Sequence, residues 1–287
     1  MTTILVTGAT GTVASALVSA LEDKAGVKVL AAVRSASKGA ALRRGNITPI
    51  DFDFDKEATI RAALQGVDKV FLCTPFAADS VAYGKMVTDA AKAAGVEHIV
   101  KLSAFGCDFE PGILLGRWHR EVEKHIEGSG LAYTFLRPNN FMENFLNFYP
   151  PGPDGNIYLP WGAAACSFIA AADIARVASA VLEGSRHQGK AYTLTGPTAL
   201  TIADVAGVIG EVSGRSIRYI DVPEEAARGA MLGLGMPAWM ADGMLELHAL
   251  DKAGHAAVVT GEVQEITGRA PITFPAFAQA HAARWKA

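Results

Sequence analysis

The first 138 residues alternate short apolar runs with longer amphipathic segments. Apolar runs without polar alternation are typical of strands that are covered on both faces of a sheet. The longer segments place apolar residues three or four positions apart, as at Val13, Leu17 and Leu21, which predicts helices. We predict strands over residues 4–7, 27–33, 47–54, 70–73, 98–103 and 132–136, and helices over 12–21, 81–94 and 114–127.

This alternation of strands and helices predicts a parallel sheet built from right-handed βαβ units. After Pro138 the pattern changes, because residues 139–164 contain four prolines and six aromatic residues. We predict a long irregular connection there that is ordered by its aromatic side chains. The remainder predicts strands over 191–194 and 217–222 and several helices, one of them over 202–212 behind the N-cap Thr201.

Composition excludes several classes of protein. Half of the 287 residues are apolar and 19% are charged, which excludes an intrinsically disordered chain. The net charge of −3 and the absence of a long basic run argue against nucleic-acid binding. The apolar stretch 160–172 is shorter than a membrane span and no signal-peptide pattern is present, so we expect a cytoplasmic protein with no membrane partner.

The three cysteines and seven histidines do not suggest a metal site. Cys73, Cys107 and Cys166 have the spacing of neither a disulfide framework nor a zinc site. The histidines are scattered along the chain without ligand spacing. We therefore predict no metal.

A glycine-containing turn directly follows the first predicted strand, with the sequence T-G-A-T-G-T-V-A over residues 7–14. Gly8 permits a tight turn, and Gly11 lets the backbone approach a pyrophosphate at the N-terminus of the first helix. The alternative is a purely structural turn. The nucleotide interpretation predicts a Rossmann-like doubly wound α/β fold, with the cofactor held by Gly8, Ala9, Thr10, Gly11, Thr12 and Val13.

The end of the second predicted strand distinguishes NADP from NAD. An NAD site usually carries an acidic residue there, but this chain has the sequence R-S-A-S-K over 34–38. Arg34 can bind a 2′-phosphate through two hydrogen bonds, and Lys38 adds positive charge. We predict NADP(H) as the cofactor; the alternative is a solvated basic loop.

Two further strand ends are predicted to contact the cofactor. Asp53 can accept a hydrogen bond from the adenine amino group while Phe54 packs nearby; the alternative for Asp53 is a strand-end cap. The ends of strands beside the strand-order reversal form the ligand crevice. We therefore expect the backbone of Cys73, Thr74 and Pro75 to run along the ribose and nicotinamide.

Several longer strings occur together in this chain: V-K-L-S at 100–103, W-H-R-E-V-E at 118–123, L-R-P-N-N-F-M-E-N at 136–144 and L-T-G-P at 194–197. With the glycine turn, they resemble the NmrA-like atypical short-chain dehydrogenase/reductases, in the branch of NAD(P)H:quinone oxidoreductases and triphenylmethane- and azo-dye reductases. The resemblance covers nearly the whole chain. It implies that NADPH lies across the sheet and that Pro138, Asn139, Asn140 and Phe141 lie along the nicotinamide.

The resemblance also implies a smaller α+β C-terminal part that covers the substrate. We predict an NADP-binding domain over 1–138, with residues 165–195 packing onto it. Residues 139–164 and 196–287 are predicted to form the smaller substrate-binding domain. Whether the protein forms a homodimer stays open at this point.

The catalytic pair of ordinary short-chain dehydrogenases is missing. None of the six tyrosines is followed four residues later by a lysine. The corresponding helix offers His119 and Glu123, one helical turn apart. His119 is a candidate general acid whose tautomer Glu123 would fix, or the two form a structural contact. Lys101 and Ser103, at the end of the fifth strand, are further candidate catalytic residues.

The absence of the tyrosine–lysine pair is compatible with a flat, electrophilic substrate. Hydride transfer to such an acceptor requires no tyrosyl proton donor. Aromatic side chains stack on such ligands, although each of them can instead fill a core. We predict an NADPH-dependent reductase of quinone, azo or triarylmethane compounds; the alternative is a non-catalytic NADP(H) sensor that binds a partner protein. The predicted substrate contacts are Phe76, Phe105, Trp118, Phe141, Asn144, Phe145, Phe148 and Trp161.

Overall fold

The computed structural model describes residues 1–37 and 39–286, which form eleven strands and eleven α-helices. The strands are β1 (Thr2–Val6), β2 (Val27–Val33), β3 (Ile47–Asp51), β4 (Lys69–Leu72), β5 (His98–Leu102), β6 (Ala132–Pro138), β7 (Asn156–Leu159), β8 (Ala165–Cys166), β9 (Lys190–Leu194), β10 (Leu200–Thr201) and β11 (Arg218–Asp221). The helices are α1 (Thr12–Ala20), α2 (Glu57–Ala63), α3 (Ser80–Ala93), α4 (Leu114–Ser129), α5 (Asn144–Asn147), α6 (Ala171–Glu183), α7 (Ile202–Ser213), α8 (Glu224–Gly233), α9 (Ala238–Lys252), α10 (Glu262–Thr267) and α11 (Phe274–His281).

The central sheet has seven strands in the order β3-β2-β1-β4-β5-β6-β9. The pairs from β3 to β6 are parallel, and Val6 at the end of β1 pairs with Ala31 on one side and Phe71 on the other. The strand order therefore reverses between β1 and β4, which is where doubly wound sheets bind ligands. This confirms the predicted α/β, Rossmann-like doubly wound parallel sheet.

The chain divides into two compact units, of which the first consists of Met1–Asp108, Gly116–Pro138 and Ala171–Thr193. Its main core joins apolar residues of β1, β4, β5 and β6 to those of α2, α3 and α4. Helix α3 approaches α4 closely at Gly84, where a Cβ would lie 2.7 Å from a methyl carbon of Val122. Glycine at this position therefore permits the packing of α3 against α4.

The second unit consists of Phe109–Leu115, Asn139–Ala170 and the chain from Leu194 onward. It contains two small sheets, an antiparallel pair of β8 with β10 and a parallel pair of β7 with β11. Its core is rich in aromatic residues. Residues 109–115, 165–170 and 194–195 belong to this unit, whereas the sequence pattern predicted them with the first domain.

Two predicted segments need correction. The third strand ends at Asp51 instead of residue 54, because Asp53 and Thr59 form a local turn through the hydrogen bond from Asp53 N–H to Thr59 Oγ1 (2.9 Å). Residues 139–164 are also more regular than predicted. They include α5 and β7, and β7 is stabilised by its pairing with β11, about sixty residues further along the chain.

Candidate functional site

The turn between β1 and α1 has the backbone geometry of an anion site. Gly8 has a φ of +65°, which favours glycine, and a Cβ there would lie 3.5 Å from the carbonyl oxygen of Cys73. No side chain caps the N-terminus of α1, whose first residue Thr12 is exposed. The first-turn N–H groups lack partners within the helix, so they are suited to bind a phosphate.

Two N–H groups of this turn serve the fold instead of a ligand. Ala9 N–H donates to the carbonyl of Ala32 (3.3 Å), and Gly11 N–H donates to the carbonyl of Gly8 (2.8 Å). Ala9 and the Val13 side chain are buried, while Thr10 and Gly11 are exposed. The N–H groups of Thr12 and Val13 are thus better placed for a phosphate than those of Ala9 and Gly11.

The loop after β2 holds an exposed arginine on an ordered backbone. Asp51 Oδ1 accepts the N–H of Ala36 (2.6 Å), and the hydroxyls of Ser35 and Ser37 lie 2.9 Å apart. Arg34 is exposed at the start of this loop. The arrangement fits a 2′-phosphate; the predicted contact from Lys38 lies outside the described residues.

Asp53 and Phe54 have clear roles within the fold. Asp53 Oδ1 accepts the N–H of Asp55 (3.2 Å) and Oδ2 lies 3.3 Å from Lys56 Nζ. The Asp55 N–H, together with the charges of Lys56 and Arg34, holds the pKa of Asp53 below its usual value. Phe54 packs edge-on against Phe52, with ring centroids 5.0 Å apart. An adenine amino group would therefore have to compete with Asp55 N–H and Lys56 Nζ for the Asp53 carboxylate.

Thr7 joins the ends of β1 and β4 at the strand-order reversal. Its hydroxyl accepts the N–H of Cys73 (2.8 Å) and donates to the Cys73 carbonyl (2.9 Å). Burial raises the pKa of the Cys73 thiol to about 11, so the thiol stays protonated at neutral pH. Thr74 and Pro75, which follow, are half-buried. The sequence pattern does not predict this role of Thr7.

Lys101 and His119 form a close pair in the first unit. Lys101 is 2% exposed, and its Nζ lies 2.8 Å from His119 Nδ1 and 3.1 Å from the carbonyl of Leu102. Burial lowers the pKa of Lys101 to about 8. Burial and the Lys101 charge hold the pKa of His119 well below its usual value. At neutral pH the Lys101 ammonium therefore donates to a neutral His119, which leaves the proton of the ring on Nε2.

Glu123 does not pair with His119, contrary to both interpretations of their spacing. Its buried carboxylate accepts hydrogen bonds from Ser103 Oγ (2.7 Å), Arg137 Nε (3.0 Å) and Nη2 (2.7 Å), and Arg120 Nη1 (3.0 Å). Burial raises the pKa of Glu123, but the hydrogen bonds from Arg137 and Ser103 and the charges of Arg137 and Lys101 together hold it below its usual value. Lys101, and not Glu123, fixes the tautomer of His119. Ser103 Oγ donates its proton to this carboxylate, and a catalytic role for Ser103 stays a prediction.

Asn139 and Asn140, which follow β6, form side-chain hydrogen bonds within the second unit. Asn139 is buried, and its Nδ2 donates to Ser167 Oγ and to the Ala256 carbonyl, both at 2.8 Å. The half-buried Asn140 donates from Nδ2 to both carboxylate oxygens of Asp251, each at 3.2 Å. The side chain of Asn139 is thus committed to the fold, whereas Asn140 Oδ1 accepts no hydrogen bond from residues 1–37 and 39–286.

Two of the predicted substrate contacts are core residues instead. Phe145 is completely buried, with ring centroids 5.1 Å from Phe168 and 5.6 Å from Phe274. Trp161 is 1% exposed and lies 6.0 Å from Phe168, measured between ring centroids. Their apolar surface is already covered by protein, so we no longer assign them to a substrate.

The other predicted substrate contacts keep exposed surface. Phe76 and Phe148 are exposed, and the remaining members of the set are half-buried, namely Phe105, Trp118, Phe141 and Asn144. Phe76, Phe105 and Trp118 belong to the first unit, and Phe141, Asn144 and Phe148 to the second. All six stay predictions.

Residues 1–37 and 39–286 contain neither a metal-binding cluster nor a membrane-spanning helix. No group of three or more histidine, cysteine and acidic side chains could hold a metal ion in this part of the chain. Over the same residues, no helix is both long enough and apolar enough to cross a bilayer.

The chain is similar over most of its length to several known proteins. The profile of the NmrA-like family matches residues 1–262. An NAD(P)H azoreductase from Xenophilus azovorans is 40% identical over 99% of this chain and 99% of its own length. The crystal structure of an NADPH-dependent quinone oxidoreductase from Escherichia coli in complex with NADPH superposes with a TM-score of 0.87 at 28% identity, covering 96% of this chain and 99% of that one. A triphenylmethane reductase from Citrobacter sp., at 22% identity and a TM-score of 0.85 over 98% of this chain and 99% of that one, shares the fold.

Proposed function

The chain belongs to the NmrA-like family, and from this premise we propose that it is an NADPH-dependent reductase of flat, conjugated acceptors such as quinones and azo compounds. The observation that carries this proposal is the uncapped N-terminus of α1 behind Gly8, placed where the strand order reverses. The similarity to an azoreductase over 99% of this chain and to a quinone oxidoreductase over 83% of it supports the acceptor class.

The residues of the first unit would hold the cofactor at defined points. The N–H groups of Thr12 and Val13 bind the pyrophosphate, while Gly8 and Gly11 keep the backbone clear for it. Arg34 binds the 2′-phosphate. Once bound, NADPH supplies the hydride from C4 of its nicotinamide ring.

Lys101 and His119 would supply the proton that a reduced quinone or azo group takes up. His119 donates from Nε2 to the acceptor oxygen or nitrogen, and Lys101 returns a proton to Nδ1 over the 2.8 Å contact. After both transfers the imidazole is neutral with its proton on Nδ1, and Lys101 is a neutral amine. Solvent then protonates Nε2 and the Nδ1 proton returns to Lys101, which restores the starting state. This pair replaces the tyrosine and lysine of ordinary short-chain dehydrogenases.

Side chains with exposed aromatic surface are the candidates for binding the acceptor. Phe76 and Phe148 can stack on a planar ring, because 46% and 71% of their surfaces are exposed. Asn144 and the half-buried rings of Phe105, Trp118 and Phe141 complete the proposed set.

The test is NADPH oxidation with a panel of acceptors. Purified protein saturated with NADPH is mixed with menadione, an azo dye or a cationic triarylmethane dye, and the decay of NADPH absorbance is followed. We expect turnover with at least one of the three and a preference for NADPH over NADH. Tight NADPH binding without turnover above background on any acceptor would overturn the reductase and favour a non-catalytic sensor of NADP(H).

A further inference from the structure

Two polar contacts join the end of β5 to α4 within the first unit. One is the 2.8 Å contact between Lys101 Nζ and His119 Nδ1, and the other is the hydrogen bond from Ser103 Oγ to Glu123 Oε1 (2.7 Å). Lys101 and Ser103 are two positions apart, so an extended backbone directs both side chains to one face. His119 and Glu123 are four positions apart on α4 and share a face of the helix. The two contacts therefore restrain the same strand against the same helix.

The carboxylate of Glu123 is attached to the end of β5 through Ser103. Its other strong donors are Arg137, which lies on β6, and Arg120, which lies on α4 itself. Cys107 Sγ lies 3.4 Å from Glu123 Oε1, but a thiol is a weak donor. Loss of Ser103 Oγ would therefore remove the strong donor that joins this carboxylate to the end of β5.

The contact between Lys101 and His119 depends on an accurate position of α4. A proton passes directly between two heavy atoms only when they are about 2.6–3.2 Å apart. Lys101 is 2% exposed, so the protein around its ammonium group determines where that group lies. Besides burial, the groups that act on the pKa of this ammonium are a carboxylate, two thiols and a guanidinium, namely Glu123, Cys107, Cys73 and Arg137. A small displacement of α4 would separate the two nitrogens and interrupt proton transfer.

We propose that Glu123 and Ser103 are positioning residues for proton delivery. Their hydrogen bond holds α4 against β5, which keeps His119 Nδ1 in contact with Lys101 Nζ. Neither positioning residue has to touch the acceptor or the cofactor in this role. The inference rests on the proposed reductase function, and it uses only contacts within the first unit.

The test variant is Ser103→Ala, which removes this hydrogen bond and leaves the charge of Glu123 in place. Glu123→Gln is less selective, because it also removes a negative charge near Lys101. Ser179→Ala is the matched control in the same unit. Ser179 is 4% exposed, as Ser103 is, and it donates to Glu183 Oε1 (3.0 Å) on α6. Each variant loses one hydrogen bond, so both should stay folded, which their melting temperatures check.

The first measurement follows the titration of His119 by NMR in the protein without cofactor, with His119→Gln to identify its signals. Burial and the Lys101 charge hold the pKa of His119 well below its usual value. Lys101→Met removes that charge, so it should raise the pKa of His119. Ser103→Ala should raise the pKa in the same direction, because it lets the ammonium move away from the ring. Ser179→Ala should leave the titration unchanged.

The second measurement compares kcat for menadione with kcat for a cationic triarylmethane dye at saturating NADPH. Ser103→Ala should lower kcat for menadione about tenfold with little change in KM, because a displaced donor slows proton transfer. Its kcat for the cationic dye should match the wild type, since that reduction needs only hydride. The double variant of Ser103→Ala with Lys101→Met should be no slower with menadione than Lys101→Met alone.

Three results would overturn the positioning role. The first is a pKa of His119 that rises in Lys101→Met but not in Ser103→Ala. The second is a loss in the double variant that adds to that of Lys101→Met, which would mean that Ser103 acts directly on the acceptor. The third is an equal effect of Ser179→Ala on kcat for menadione.

Two other results separate this inference from the proposed function. An unchanged pKa of His119 in Lys101→Met would contradict the contact itself and overturn both the positioning role and the proposed proton path. Failure of the wild type to reduce any acceptor would remove the reductase. The titration of His119 in the free protein would still decide whether Ser103 and Glu123 position the pair.

Discussion

At the scale of single residues, the contact between Lys101 Nζ and His119 Nδ1 determines which group holds a proton for the acceptor. Lys101, with its pKa lowered to about 8, loses its proton as the pH rises through that value. We expect kcat for menadione to fall above pH 8 in the wild type. Lys101→Met should lower kcat by about 10²-fold and abolish this decline, which a pH series of initial rates at saturating NADPH checks.

Two controls accompany the Lys101 variant. His125→Gln changes a histidine on the same helix that pairs with Asp89, and its pH profile should match the wild type. Reduction of a cationic triarylmethane dye needs only hydride. Its kcat should therefore not decline above pH 8 in the wild type or in Lys101→Met. A decline with the cationic dye as well would place the titrating group in cofactor binding and refute the proton path.

Arg34 is expected to select the phosphorylated cofactor. Arg34→Ala removes a charge-assisted contact, so NADPH should bind about 10- to 100-fold more weakly while NADH changes little. Titration of protein fluorescence with each nucleotide checks this. Arg43→Ala is the matched control, because Arg43 is also an exposed arginine of the β2–β3 connection. Equal losses for NADPH and NADH would remove the 2′-phosphate assignment.

Residue pairing was the part of the site that the sequence could not predict. Lys101 and His119 were each predicted as candidate catalytic residues, but their contact was not. The two residues are 18 positions apart in sequence and meet only because β5 and α4 pack together. Phe145 and Trp161 were assigned to a substrate because an aromatic residue that stacks on a ligand and one that fills a core have the same local pattern. The contact of Asp251 with Asn140, 111 positions away, had no local signal at all.

At the scale of elements, α4 is attached to the sheet through Glu123. Glu123→Gln would leave Arg120 and Arg137 facing a neutral amide in a buried place. We expect a loss of about 3 kcal/mol in unfolding free energy, measured by urea denaturation. Glu127→Gln is the control, since that partly exposed partner of Arg120 should cost less than about 1 kcal/mol. Equal effects of the two variants would contradict the structural role of Glu123.

The pH dependence of this contribution follows from the direction of the Glu123 shift. Its pKa is below the usual value in the folded protein, so its stabilising effect is present above the pKa of the unfolded chain. That contribution is lost as the pH falls through the folded pKa. The difference in stability between wild type and Glu123→Gln should therefore shrink in acid, and a constant difference would argue against the ionised network.

The length of an element determined how well its sequence predicted it. The strand over 27–33 was predicted at its bounds, because six of its seven residues are apolar and only Lys28, near its exposed start, interrupts the run. Helix α2 has only seven residues and was not predicted, since so few positions cannot show a helical period. The four-residue β7 exists because it pairs with β11, an interaction that no local window contains.

At the scale of the whole molecule, each of the two units carries a buried neutral histidine. In the first unit, His98 Nε2 forms a hydrogen bond with Thr134 Oγ1 (2.9 Å). In the second unit, His248 Nε2 lies 3.2 Å from the hydroxyl of Tyr149. Both are completely buried, and neither Nδ1 atom has a partner among the described residues. Burial lowers the pKa of each to about 4. Protonation of either ring therefore opposes folding of its unit.

The sign of this effect makes the protein sensitive to acid. Between pH 6.5 and about 4 the unfolded chain binds a proton at each histidine and the folded chain does not, so stability is retained above 6.5 and lost as the pH falls. The expected loss is about 3 kcal/mol per histidine. Asp251 opposes it, because its raised pKa makes the folded state bind a proton over the same range. Asp251→Leu should therefore steepen the decline of unfolding free energy with falling pH.

A comparison of His98→Gln with His248→Gln assigns the acid response to the two units. Glutamine can still form a hydrogen bond with the neighbouring hydroxyl, but its side chain cannot be protonated. Each variant should therefore take up as much as one proton fewer on unfolding, which reduces the slope of unfolding free energy against pH. We expect His98→Gln to protect β5 and His248→Gln to protect α9 against acid, as measured by amide hydrogen exchange between about pH 4.5 and 6.5. A slope that neither variant changes would show that other groups cause the acid response. If either variant protected both elements equally, the two units would share one unfolding transition.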